Sequence, residues 1–222
     1  MIVVHGYAGN PSERLRSDAA AAELVVGGQR HLDALGVPAG RRIVLGRIGP
    51  AIEALQALDE QALAVVVASG DPLFYGVVRR IRAAGLRCRV IPAPSSLQLA
   101  FAAVALPWDD ALLVSAHGND PAAALAACRV HPKVGLLTDP RVGLPQIVAA
   151  TAGLGRWYVL AERLGEADER VRVLPEREAR QVTGIAQPNV VLVLAHAPDD
   201  PAALGEQQPI SGGNRLDEQE PA

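Results

Sequence analysis

The sequence is short of aromatics, lysine, cysteine and long apolar runs, and each shortage removes a class of protein. Aromatic residues make up 3% of the 222 positions, so a nucleic-acid reader built on stacked rings is not expected. Lys133 is the single lysine beside 20 arginines, a skew that reflects genome composition more than function. Cys88 and Cys128 have neither metal-ligand spacing nor a secreted framework and read as buried thiols of a reducing compartment. The longest apolar stretch, 62–68, is far below the roughly 20 residues that a bilayer span requires. The opening MIVVHG lacks the regions of a signal peptide. A cytoplasmic protein without a membrane segment is the expectation.

What is present is a large apolar fraction. Hydrophobic residues are 50% and charged residues 20%, enough for a real core and incompatible with disorder, collagen or a coiled coil. The net charge of -3 is unevenly placed: 198–222 carries six acids against Arg215 alone. The rest has 20 bases and 18 acids, a body that admits an anionic small molecule at a local basic site but has no field for nucleic acid.

Apolar runs recur at 2–4, 43–45, 62–68, 88–91, 111–116, 133–137, 157–161 and 190–195. Most are continuous, the pattern of strands buried on both faces and therefore mostly parallel. Helix-like stretches lie between them at 12–24, 50–58, 74–84, 95–106, 121–128 and 145–152, several with proline at the entry. Alternating strands and helices define an α/β chain. Eight strands fit one doubly wound sheet or two sheets of four or five, and two are preferred because Pro107-Trp108-Asp109-Asp110 breaks the rhythm once, between an N-terminal α/β domain, 1–107, and a C-terminal one, 108–195. The polar, Pro- and Gly-rich segment 196–222 is expected to be disordered.

Ligands of open parallel sheets bind beyond the carboxyl ends of strands, so the turns after each run are the places to search. Four stand out. His5-Gly6-Tyr7-Ala8-Gly9-Asn10-Pro11 has two glycines but not the dinucleotide fingerprint, leaving tight-turn and binding roles both open. Ser69-Gly70-Asp71-Pro72-Leu73-Phe74-Tyr75-Gly76 has Asp-Pro as a helix start and an aromatic pair suited to a flat ligand. In Pro94-Ser95-Ser96 one serine caps the next helix and the other hydroxyl is spare. His117 before Gly118 is a candidate acid or base, a carboxylate binder, or a structural histidine. Walker, G-x-S-x-G, H-E-x-x-H and zinc patterns do not occur, so no metal is expected.

VVGGQRHL (25–32), SGDPLFYG (69–76), APSSLQLAF (93–101), LPWDDALLVSAHG (106–118) and ERLGEADERV (162–171) together resemble the tetrapyrrole methylases. Within that family they are similar to the carbon-5-methylating, N-terminal type of precorrin-6Y C5,15-methyltransferase of cobalamin biosynthesis, in its stand-alone form. The resemblance implies two α/β domains with the active-site cleft between them, a homodimer, and S-adenosylmethionine as methyl donor to a precorrin. It assigns Ser69, Gly70, Asp71, Phe74, Ser95, Ser96, Thr138 and Asn189 to the cofactor, and Gly6, Gly9 and Pro11 to a loop facing the tetrapyrrole. Arg30, His31 and His117 are the candidate partners of substrate carboxylates, with His117 also the catalytic candidate. The family pattern has an acid near Ala8 and arginines near Ala103 and Asn119, and this chain departs from it at all three. The departures sustain an alternative, a non-catalytic cofactor-binding subunit partnering the carbon-15 methyltransferase/decarboxylase.

Overall fold

A computed structural model describes residues 1–116 and 120–205. The first half runs β1 (Ile2–Tyr7), α1 (Glu13–Ala21), β2 (Leu24–Gly27), α2 (Gln29–Ala34), β3 (Arg42–Val44), α3 (Ile48–Ala57), β4 (Ala64–Ser69), α4 (Val78–Ala83), β5 (Cys88–Ile91) and α5 (Ser96–Ala103). The second half runs β6 (Leu112–Ser115), α6 (Pro121–Val130), β7 (Lys133–Leu137), α7 (Leu144–Ala150), β8 (Trp157–Glu162), β9 (Arg170–Pro175), α8 (Glu176–Ala179) and β10 (Asn189–Leu194).

Two five-stranded sheets result. The first has the order β3-β2-β4-β1-β5, and every pair in it is parallel. Its strands are buried on both sides because Val26 and Val66 pack on α3 and α4, through Leu55 and Ile81, while Val25, Val65 and Val67 pack on α1 and α2, through Leu15 and Leu32. Each fully buried aliphatic side chain of this kind contributes about 1.5–3 kcal/mol.

The second sheet has the order β6-β7-β10-β8-β9 and corrects the expectation of mostly parallel strands. Only β6 and β7 pair in parallel, whereas β10 runs antiparallel between β7 and β8, and β9 antiparallel to β8. A strand buried on both faces reads as continuously apolar whichever way it runs, as the six buried residues of β10 do, so direction was not legible. Two further strands, β2 and β9, add to the eight apolar runs. β9 (RVRVLP) alternates polar with apolar because it is an edge strand. The expected helix at 12–24 ends at Ala21. That at 74–84 begins only at Val78, after a turn in which a Cβ on Gly76 would lie 2.2 Å from the Pro72 carbonyl oxygen.

Packing also reaches across the halves. Leu97, Ala100 and Phe101 of α5 are buried against Val159, Ala161, Val190 and Leu192 of the second sheet. By its contacts α5 belongs to that sheet, ahead of the Pro107 junction that the sequence suggests. The junction itself is pinned by Lys133, whose buried ammonium pairs with Asp110 at 2.6 Å and donates to the Pro107 carbonyl at 3.0 Å. The expectation of disorder from residue 196 holds no structural account beyond Gly205, since 206–222 lie outside the described residues. Up to that point it is corrected: Pro201–Leu204 forms a 3-10 turn capped by Asp200, with Ala203 buried in the core beside α5. Asp-Pro started a turn there, and one small apolar side chain sufficed to dock it.

Candidate active site

A cleft of about 810 Å³ lies between the two sheets. On one side it is walled by the segments that follow β1, β2, β3, β4 and β5, which parallel pairing brings to one edge of the first sheet. On the other side stand the carboxyl ends of β6, β7 and β8 and the amino end of β10. Its volume is at the large end of the roughly 300–1,000 Å³ of small-molecule sites.

Three of the four turns read from the sequence converge here, with a division inside them. Ser69, Gly70 and Phe74 line the cleft, and Asp71 does not. The Asp71 carboxylate instead accepts from the Leu73 amide at 2.8 Å, a local turn. Ser95 is buried in a capping box, accepting from the Gln98 amide at 3.2 Å, which leaves Ser96 as the serine on the cleft wall. From the second sheet come Thr138 and Asn189. The Thr138 hydroxyl shares its one proton between the Asn189 carbonyl at 2.6 Å and side-chain oxygen at 2.9 Å, and Asn189 Nδ2 donates to the Ala186 carbonyl at 2.9 Å, so the two side chains hold each other in place.

The first loop is shaped by the protein's own backbone. A Cβ on Gly6 would lie 2.5 Å from the Ala93 nitrogen and 2.6 Å from the Gly70 carbonyl oxygen, which explains that glycine without a ligand. Gly9, at φ +83°, lines the cleft and abuts the opposite wall, where its missing Cβ would meet the Gly165 carbonyl oxygen at 2.0 Å. Gly6 and Pro11 are not on the cleft surface.

Arg30 and His31 do line it, at the start of α2. Arg30 reaches across the cleft to Glu166, in the β8–β9 loop, and that carboxylate also pairs with Arg163 at 2.9 Å. Arg30 donates as well to His31 Nε2 and to Ser69 Oγ, both at 3.3 Å. An Nε2 that accepts leaves the proton on Nδ1, which is buried with no partner among the described residues. His31 is 3% exposed and packs against Tyr7 with the rings tilted by 38° and their centres 4.4 Å apart. Burial, and next to it the Arg30 charge, lowers its pKa from 6.5 to about 4, against an opposing pull from Glu166. His31 is therefore a neutral imidazole at pH 7, and the Arg30 charge is balanced by a carboxylate of the chain. Neither stands as a free cation for a substrate carboxylate.

A testable pH dependence follows. Between about pH 6.5 and 4 the unfolded chain protonates this histidine and the folded chain does not, so stability falls as pH falls across that window. The slope is about 1.4 kcal/mol per pH unit at most, and denaturant titrations of His31→Gln should lack it.

His117 lies outside the described residues, although Ser115, two positions earlier, lines the cleft. Cys128 is pushed up to about 12 by burial, so it is inert as a nucleophile. Sequence reasoning missed Tyr7, Leu164, Pro188 and Glu166 as cleft residues. Leu164 and Glu166 lie in the ERLGEADERV segment and Tyr7 in the first glycine turn, so for these three a signal was present, and for Pro188 there was none.

Comparison with known proteins decides the family. The model of the tetrapyrrole (corrin/porphyrin) methylases matches residues 18–180. The chain belongs to that family. It is 34% identical over 160 residues to the cobalt-precorrin-7 C(5)-methyltransferase of Salmonella typhimurium, covering 69% of this chain and 78% of that one. It is 34% identical over 212 residues to the decarboxylating precorrin-6Y C(5,15)-methyltransferase of a Sinorhizobium species, covering 88% of this chain and 48% of that longer protein. Its fold matches that of a Thermus thermophilus uroporphyrin-III C-methyltransferase in complex with S-adenosyl homocysteine, with a TM-score of 0.63 at 18% identity over 87% of this chain and 96% of the other.

Proposed function

We propose that this tetrapyrrole methylase transfers a methyl group from S-adenosylmethionine to carbon 5 of a precorrin, with or without cobalt, in cobalamin biosynthesis. The observation that carries the reading is the convergence of Ser69, Gly70, Ser96, Thr138 and Asn189 on one cleft from two different sheets. The donor set suits the cofactor: hydroxyls and an amide for ribose and amino-acid groups, beside the apolar surfaces of Val67, Phe74, Leu99 and Val190. His31 Nδ1, a buried donor left over beside Gly28, marks further unfilled bonding capacity at the same wall.

When bound, S-adenosylmethionine supplies a methyl on a sulfonium that is already activated for displacement. The chain's part is to hold donor and acceptor in line and keep water out, which the Thr138–Asn189 pair and the clasped loops at Gly9 and Gly165 serve. Carbon 5 exchanges a hydrogen for the methyl, so one proton leaves with each turnover. His117 is our proposed acceptor. Asp71 and Ser95 support the cofactor turn through the backbone, and we assign the protein to the cytoplasm as a homodimer.

Calorimetry with S-adenosyl homocysteine tests the cofactor site. Ser96→Arg fills the wall and leaves the Ser95 cap intact, so affinity should fall at least tenfold with Tm within a few degrees of wild type. Equal binding by both proteins would refute the site. Mass spectrometry of a reconstituted reaction should show a gain of one methyl. Cofactor binding without any gain would favour the non-catalytic subunit.

A further inference from the structure

The cleft holds three arginines, and their partners divide them. Arg30 is paired with Glu166. Arg79 and Arg80, at the start of α4, line the cleft, are exposed, and have no acidic partner among the described residues. One turn earlier in the chain Tyr75 lines the same wall with 46% of its surface exposed, edge-on to Phe74 at 4.9 Å between ring centres. Tyr75 sits at φ +52°, a conformation that non-glycine residues rarely adopt and that tends to mark functional positions. A flat apolar ring followed, four and five residues on, by two uncompensated guanidinium groups matches a planar macrocycle with carboxylates on its rim.

We propose that residues 75–80 are the macrocycle-recognition element: Tyr75 lies against the ring system, and Arg79 and Arg80 hold rim carboxylates. This rests on the precorrin reading above and adds which side chains read the substrate. Arg30 then braces the cleft walls through Glu166 instead of gripping substrate.

The test uses uroporphyrin, a flat octacarboxylate, as the probe, read by quenching of its fluorescence. The variants are Arg79→Gln with Arg80→Gln, Tyr75→Gly, which suits the positive φ, and Arg82→Gln as control. Arg82 is exposed on the same helix and does not line the cleft, so its removal costs one positive charge, half that of the double variant, away from the cleft. The double variant should bind uroporphyrin at least tenfold more weakly and with a shallower salt dependence. Tyr75→Gly should bind several-fold more weakly at unchanged salt dependence. S-adenosyl homocysteine affinity should stay within twofold throughout. In the methylation assay the double variant should raise KM for the precorrin while preserving kcat and the KM for the methyl donor. Two results overturn the inference alone: a wild type that methylates while the double variant binds and reacts as it does, or an equal loss in Arg82→Gln. A wild type that binds the cofactor analogue but neither binds uroporphyrin nor methylates a precorrin overturns the precorrin reading together with the inference.

Discussion

Gly9→Ala is expected to lower Tm by about 10 °C and to weaken S-adenosyl homocysteine binding. The added Cβ would sit 2.0 Å from the Gly165 carbonyl oxygen, and the backbone at φ +83° disfavours any side chain. The strain is on the order of 1–2 kcal/mol, and the overlap adds roughly 1–3 kcal/mol. At about 2–4 °C per kcal/mol for a chain of this size the sum gives the stated shift. Gly36→Ala separates the two contributions. Gly36 also has a positive φ, +63°, but no atom within 4 Å of its missing Cβ. Scanning calorimetry should show only about 4 °C lost there. Equal losses in the two variants would mean that contact between the β1–α1 and β8–β9 loops is not what fixes the cleft.

Glu162→Ala is expected to be about as damaging, at a site with no ligand role. Glu162 is 1% exposed and accepts two bonds from Arg170, one from Arg172 and one from the Ala186 amide, at 2.7–2.9 Å. Burial alone would raise its pKa, but the bonds from Arg170, the Ala186 amide and Arg172 outweigh it and hold the carboxyl below the usual glutamate range. Removing the acceptor strands the mostly buried Arg172 and a backbone donor. Such losses reach about 3–5 kcal/mol for fully buried pairs, and about 3 kcal/mol is expected here because Arg170 is half exposed. That corresponds to a Tm about 9 °C lower. Because the folded pKa is depressed, the stabilisation is complete above the ordinary glutamate pKa of 4.5 and is lost as pH falls through the lower folded value. The stability gap between wild type and Glu162→Gln, followed by urea titration, should therefore close in acid. A gap independent of pH would assign the effect to packing. The damage should extend to the site, since Ala186 leads to Asn189, the residue paired with Glu162 in the sheet.

Much of this site is local information. Ser95 as cap with Ser96 left over and the glycine after β4 each follow from a turn that a short sequence window specifies, whereas Thr138 and Asn189 were reached only through the family resemblance. Parallel pairing then gathers the strand ends of the first sheet to one edge without further instruction, which is why a search of the residues after apolar runs reached that wall. Arg30 and His31 show the limit. Their sequence allows a cation for a carboxylate, whereas Glu166, 136 positions from Arg30, balances that charge. Arg79 and Arg80 read only as the polar side of a helix, because nothing nearby in the chain reveals that the helix borders a cavity.

By itself the sequence determined an α/β chain, the order of most elements, and the turns that carry polar groups, with two sheets preferred over one. These depend on apolar periodicity and on capping, interactions spanning a few residues. Only the tertiary structure decided that β10 runs antiparallel inside its sheet, that α5 packs on the second sheet, and which arginines keep an unbalanced charge. Each of those depends on contacts between distant segments, where direction, burial and electrostatic pairing are set by neighbours that no local pattern names.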